Sequence, residues 1–161
     1  MASFEEHILQ AKNNLKFLEE TNAKNQFFWD WQVTTAFYVA VHIVNAHLCK
    51  VGNLHYRTHE DVKNAINPHR PLAIAKVSEA IYLSYVKLEG LSRRARYLCH
   101  DSPEIHANVG HLTFDKHFAK AIRKLDSFLS HFQSCYSLGL PITKVKAPEL
   151  SPSEGLILFS V

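Results

Sequence analysis

The stretch RRARYLCHD, Arg93 to Asp101, packs three arginines, a cysteine, a histidine and an aspartate into nine positions. An arginine fork holds phosphate through paired hydrogen bonds and keeps its charge at any ordinary pH. A histidine beside it can move a proton near neutrality. Together they suit metal-free cleavage of a phosphodiester. The guanidinium would stabilise the charge developing on the phosphate. The imidazole would act as base for a ribose 2′-hydroxyl or as acid for the leaving oxygen. The candidate catalytic residues are therefore Arg93, Arg94 and His100. On a helix that runs through His100, Arg93 and Arg96 share its face; on one that ends earlier, Arg94 can also converge on it.

A second basic set, Lys116, Lys120, Arg123 and Lys124, recurs at helical spacing. With Arg96 it forms the candidate nucleic-acid-binding set. Such a face is ordinarily just solvated, and it gains meaning only if folding brings it near the arginines.

Other chemistry has less support. The 11 histidines invite a metal reading. His55 and His59 are four apart, but His55 falls in a predicted loop. His42 and His47 point to different faces, and His106, His111 and His117 spread over a loop and a helix start. None has a cysteine or carboxylate at a familiar ligand spacing, so no metal and no cofactor is expected. There is no GxSxG, no glycine-rich phosphate loop and no GxGxxG. Cys99 precedes His100, but neighbours on a helix point about 100° apart, so Cys99 reads as a helix-end cysteine.

Composition agrees with a single globular unit. The chain has 161 residues, 47% hydrophobic and 20% charged, which is enough for one sizeable core. A formal charge of +3 permits a nucleic-acid partner without requiring one. Cys49, Cys99 and Cys135 are odd in number and form no CxxC pair, which fits a reducing compartment. The opening MASFEEHILQ is too polar for a signal peptide, and the apolar run Val33 to Val44 is too short to span a membrane. A cytoplasmic protein with no membrane partner is expected.

The elements that must position these residues are helices. Phe4, Ile8, Ala11, Leu15 and Leu18 make one helical stripe, and Ser3 with Glu6 fits a capping box. A second helix is predicted from Asn25, as cap, to Val51, ended by Gly52. Its centre is apolar on nearly every face and belongs in the middle of a bundle, or in a bundle plus a dimer interface. Thr58 caps a short helix over 58–66 that Pro68 stops. The next helix is predicted from Pro71, with a buried stripe of Ile74, Val77, Ile81, Tyr85, Leu88, Leu91, Ala95 and Leu98, interrupted by Gly90. A last helix follows Thr113, burying Phe114, Phe118, Ile122, Leu125, Phe128, Leu129 and Phe132, and ends near Gly139 and Pro141. The expected fold is all-α: an antiparallel up-and-down bundle of four main helices plus the short one, over residues 1–140. The Pro-containing tail, 141–161, closes with strand-like GLILFSV, set to dock on the bundle or on a second subunit.

The second helix and the loop after it carry a longer pattern: Tyr38, Ala40, His42, Ala46, Leu48 and Gly52, then Thr58 and His59 opening the short helix. Over residues 31–63 this order resembles the HEPN family, the helical domains of higher eukaryotes and prokaryotes that bind nucleotides. The resemblance implies a helical bundle that forms a homodimer. It also implies that active members are metal-independent endoribonucleases. Their arginine and histidine, four to six residues apart, come from both subunits to one cleft. Arg94 and His100 have a five-residue spacer and Arg93 and His100 a six-residue one. Composition alone supplies about one such pair in a chain this rich in histidine, so its weight comes from its place at the end of the third long helix. The family usually has a polar residue, often asparagine, right after the arginine, where here Arg93 is followed by Arg94 and Arg94 by Ala95; the helix pattern is most typical of members with a degenerate motif.

Three readings follow. The first is a HEPN-like, dimeric RNA- or nucleotide-binding module, for which a separately encoded nucleotidyltransferase is a candidate partner. The second is a ribonuclease of toxin or defence type using Arg93 or Arg94 with His100. The third is a dimerisation module without a ligand.

Overall fold

The computed structural model describes residues 2–25, 27–102 and 110–161. Five helices dominate: α1 (Phe4–Lys24), α2 (Trp29–Gly52), α3 (His59–Ile66), α4 (Glu79–Tyr97) and α5 (Asp115–Tyr136). The four long ones form the expected up-and-down bundle, with α2 packed against α1, α4 and α5. That central place explains its composition. Val33, Ala36, Phe37, Val39, Ala40, Ile43, Val44, Ala46 and Leu48 are all buried, on every side that faces a neighbour. The exposed residues of its first half, Trp31 and Tyr38, lie seven apart on the one side left open.

The helix starts follow local hydrogen bonding. Ser3 and Glu6 close a reciprocal capping box on α1, and Thr58 accepts from the Asp61 amide to start α3. Asn25 does not begin α2. Its amide donates to Thr21 and ends α1, and its carbonyl accepts from the Gln32 side chain across the turn. Trp29 then opens α2 without a side-chain cap. The other end of α2 is made by Asn53, left-handed at φ 52°, one residue after Gly52.

The third long helix begins later than its hydrophobic pattern suggests, at Glu79 and not near Pro71. The Ala75 and Val77 amides donate to the Ala65 and Ile66 carbonyls at the end of α3. Those carbonyls have no partner within their own helix, and satisfying them keeps 75–77 out of the next helix. Ala75 and Val77 are buried by this route, while Ile74 is exposed. The same helix ends at Tyr97. Leu98 takes a left-handed turn at φ 54° and is exposed, so it is no part of the buried stripe. Phe114 is likewise exposed at the start of α5, outside its buried face.

The tail docks on its own bundle. Thr143–Lys144 (β1) and Phe159–Ser160 (β2) pair as short parallel strands. α1 closes the outer edge of β1: Glu19 accepts from the Lys144 amide and Asn22 from the Lys146 amide. Val145, Leu150, Leu158 and Phe159 join the same core as the helices. The buried Asp126 carboxylate on α5 accepts the Ile157 and Leu158 amides at 2.7–3.1 Å. Among the described residues, no helix is long and apolar enough to cross a membrane.

Asp126→Ala strands two amides that have no other acceptor on hand. It is expected to cost about 2–4 kcal/mol in chemical denaturation and to open the tail to proteases. Asp126→Asn, which keeps one acceptor oxygen, should lose less. Equal stability of Asp126→Ala and wild type would contradict this account of the tail.

Candidate functional site

The chain after α4 folds back along the helix it has just left. Gly90 makes this possible: a Cβ there would overlap the Asp101 carbonyl. The glycine permits a close approach, as its place in the helical stripe suggests, but the neighbour is a loop backbone and not another helix. Lys87 and Arg94 lie seven residues apart, on the face of α4 that this loop covers.

Arg94 is only 8% exposed. Its Nε and Nη2 donate to the Leu112 carbonyl at 3.0 and 2.9 Å, and Nη1 lies 3.8 Å from Asp101 Oδ1. One guanidinium thus holds both ends of the 98–112 excursion. Asp101 Oδ2 takes the Lys87 ammonium, and Lys120 of α5 lies 4.0 Å from the same oxygen. Burial pushes the Asp101 carboxyl up. The Lys87 hydrogen bond and charge, with Lys120 behind them, outweigh burial and hold it below the usual range.

Three cations therefore crowd one carboxylate. Lys120 records the excess. Burial first, then the neighbouring Lys87, pull its pKa down, and Asp101 only partly restores it. His117 responds in the same way. Burial, then Arg94 and Lys116, push it down to about 4, and its Nδ1 accepts the Phe114 amide at 3.0 Å. It is neutral at pH 7. Lys116 and Lys124 stand exposed on the same helix, the latter close enough to Lys120 to depress it further.

His100 sits beside this group, half-buried, with Nδ1 3.6 Å from Asp101 Oδ1. The Ser102 amide donates to that same Nδ1 at 3.0 Å. The lone pair of Nδ1 is thereby occupied, and the proton of the neutral ring belongs on Nε2. Neither nitrogen then offers a free lone pair. A proton on Nδ1 would face the Ser102 N–H. Service as base or as acid therefore requires breaking the Ser102 bond.

The other residues singled out by sequence go elsewhere. Arg93 is exposed and is not among the ion pairs of Asp101. Arg96 lies over the Tyr97 ring at 5.1 Å and lines a cleft with Asp30, Trp31, Thr34 and Ala95. Arg123 is committed to the tail, paired with Glu154 and donating to the Glu149 carbonyl. Its hydrogen bonds bring Glu154 down to about 2. His106 and most of the 100–111 loop lie outside the described residues. Among the described residues, no three histidine, cysteine, aspartate or glutamate side chains are set to hold a metal ion.

Comparison of the chain with protein-family models, with curated proteins and with solved structures gave no match.

Gly90→Ala separates two opposing effects. Helix propensity alone would stabilise the variant by about 1 kcal/mol. Displacement of Asp101 should instead destabilise it by about 1–3 kcal/mol, as read by urea denaturation. A more stable Gly90→Ala protein would contradict the close approach of Asp101 to α4.

Proposed function

We propose that this chain is a HEPN-like binding module that takes a phosphate-bearing ligand, RNA or a nucleotide, at the joined ends of α4 and α5. The observation that carries the reading is the excess of positive charge there: Lys87, Arg94 and Lys120 share a single carboxylate. A phosphate oxygen entering beside Lys120 would relieve the repulsion that lowers its pKa. Lys116 and Lys124 extend the positive surface along α5. Arg94 is spent on the fold, so the lysines do the binding and the guanidinium holds Leu112 and Asp101 in place.

Binding is favoured over cleavage by the state of His100. Its Nδ1 already accepts from Ser102, and Arg94, which shares Asp101 Oδ1 with it, is buried and bonded to Leu112. A homodimer belongs to the same proposal. Trp31 and Tyr38 are exposed along the open side of α2, and Trp31 borders Arg96 near the exposed Tyr97. An aromatic stripe of this kind is suited to pairing with a second copy.

The test is single-stranded RNA binding by fluorescence anisotropy in EDTA at two salt concentrations. The double variant Lys120→Gln/Lys124→Gln should weaken binding about 10-fold at low salt and reduce the log–log salt slope by about 1.4. His100→Ala should bind as wild type does and leave the RNA intact. Unchanged binding by the lysine variant would refute the site. Metal-free cleavage that disappears in His100→Ala would establish the nuclease instead. Trp31→Glu should shift the sedimentation of the protein from dimer to monomer.

A further inference from the structure

Away from the basic end, three histidines from three parts of the chain form one hydrogen-bonded row. His7 of α1 is the middle member and is buried. Its Nδ1 lies 3.2 Å from His42 Nδ1 on α2, and its Nε2 lies 3.2 Å from His55 Nδ1 in the loop after α2. A neutral imidazole has one N–H and one lone pair, so His7 can donate to one neighbour while accepting from the other. The neutral row satisfies every nitrogen that faces another. His7 turns a different nitrogen to each partner, so the three do not converge on one point as ligands would.

We propose that the His7–His42–His55 row is a proton-operated latch, which holds the first turns of α1 and the 53–57 loop against α2 at neutral pH and releases them on acidification. With two protons added to the neutral row, at least one pair must bring N–H against N–H. The groups facing His7 are His42 from α2, His55 from the loop and Glu6 from its own helix. Only Glu6 is anionic, and its carboxylate is already turned to the Ser3 amide. The packing around His7 therefore offers little to compensate added charge.

The sign follows from burial. Burial first, then His42 and His55, push His7 from 6.5 down to about 4, and burial with His55 lowers His42 as well. A released segment regains the ordinary histidine affinity and binds more protons than the closed one. The closed form is thus fully favoured above pH 6.5 and loses that advantage as pH falls toward 4.

The test is amide hydrogen exchange on the full chain at pH 7.5 and pH 5.0, corrected for intrinsic rates. Titration of His7 alone should raise the opening constant of residues 2–10 and 53–57 about 30-fold, with a much smaller rise at Phe118–Leu129 in α5. In His7→Gln the local rise should shrink to a few-fold. An equal rise across all helices, or an undiminished one in His7→Gln, would overturn the proposal. The ring nitrogens of the wild-type protein give an independent reading should the variant fold poorly. A His7 midpoint below pH 5.5 supports the latch, and one at or above 6.5 refutes it.

Discussion

A buried guanidinium governs the end of this bundle. A guanidinium is a permanent cation, and Arg94 at 8% exposure cannot rely on water. The fold must therefore bring acceptors to it. The Leu112 carbonyl comes from one end of the loop and the Asp101 carboxylate from the other. Gly90 leaves the space that lets Asp101 arrive, and the lysines Lys87 and Lys120 gather on the carboxylate once it is there. The basic surface and the return of Asp101 and Leu112 to α4 share this one cause. Removing a partner from such a group leaves an uncompensated buried charge, which is costly.

The rest of the molecule supplies the rigidity this arrangement needs. α2 buries nearly its whole circumference, so α4 and α5 are held against a common partner. The tail fixes α5 from outside through Asp126 and Arg123. Arg123 shows how a basic residue at helical spacing can belong to the fold and not to a ligand. Lys116, Lys120 and Lys124, on the same helix, have no comparable claim from the tail among the hydrogen bonds and ion pairs of the described residues.

Much of the fold was legible because it rests on periodicity. The stripes of α1 and α5 and the capping groups Ser3 and Thr58 are local signals, and they lie where the pattern puts them. The misplacements cluster at helix ends. Near Pro71 and at Leu98 hydrogen bonds to another segment accompany the boundary, while at Asn25 and Phe114 bonds within a few residues replace the expected start or burial. The clearest case is 71–78, where Ala75 and Val77 serve the carbonyls of α3. The site was half legible. Arg94, His100 and Lys120 stood out by type and spacing. Lys87, seven residues before Arg94, carried a usable signal, since that interval returns to the same helix face. Gly90 stood out as an interruption, but its neighbour Asp101 arrives through a loop reversal that no periodicity encodes. The His7–His42–His55 row spans 48 positions and three elements, and it had no sequence signature.

The α4–α5 end is proposed as a phosphate-binding surface built on the Arg94–Asp101 core. The most direct measurement is backbone amide shift mapping while a short single-stranded RNA is titrated into the metal-free protein. The account predicts that the largest changes fall on the 98–102 segment and on the first three turns of α5, around Lys116, Lys120 and Lys124. Changes centred instead on α3 and the 68–77 segment, or none at ligand concentrations that saturate binding, would contradict it.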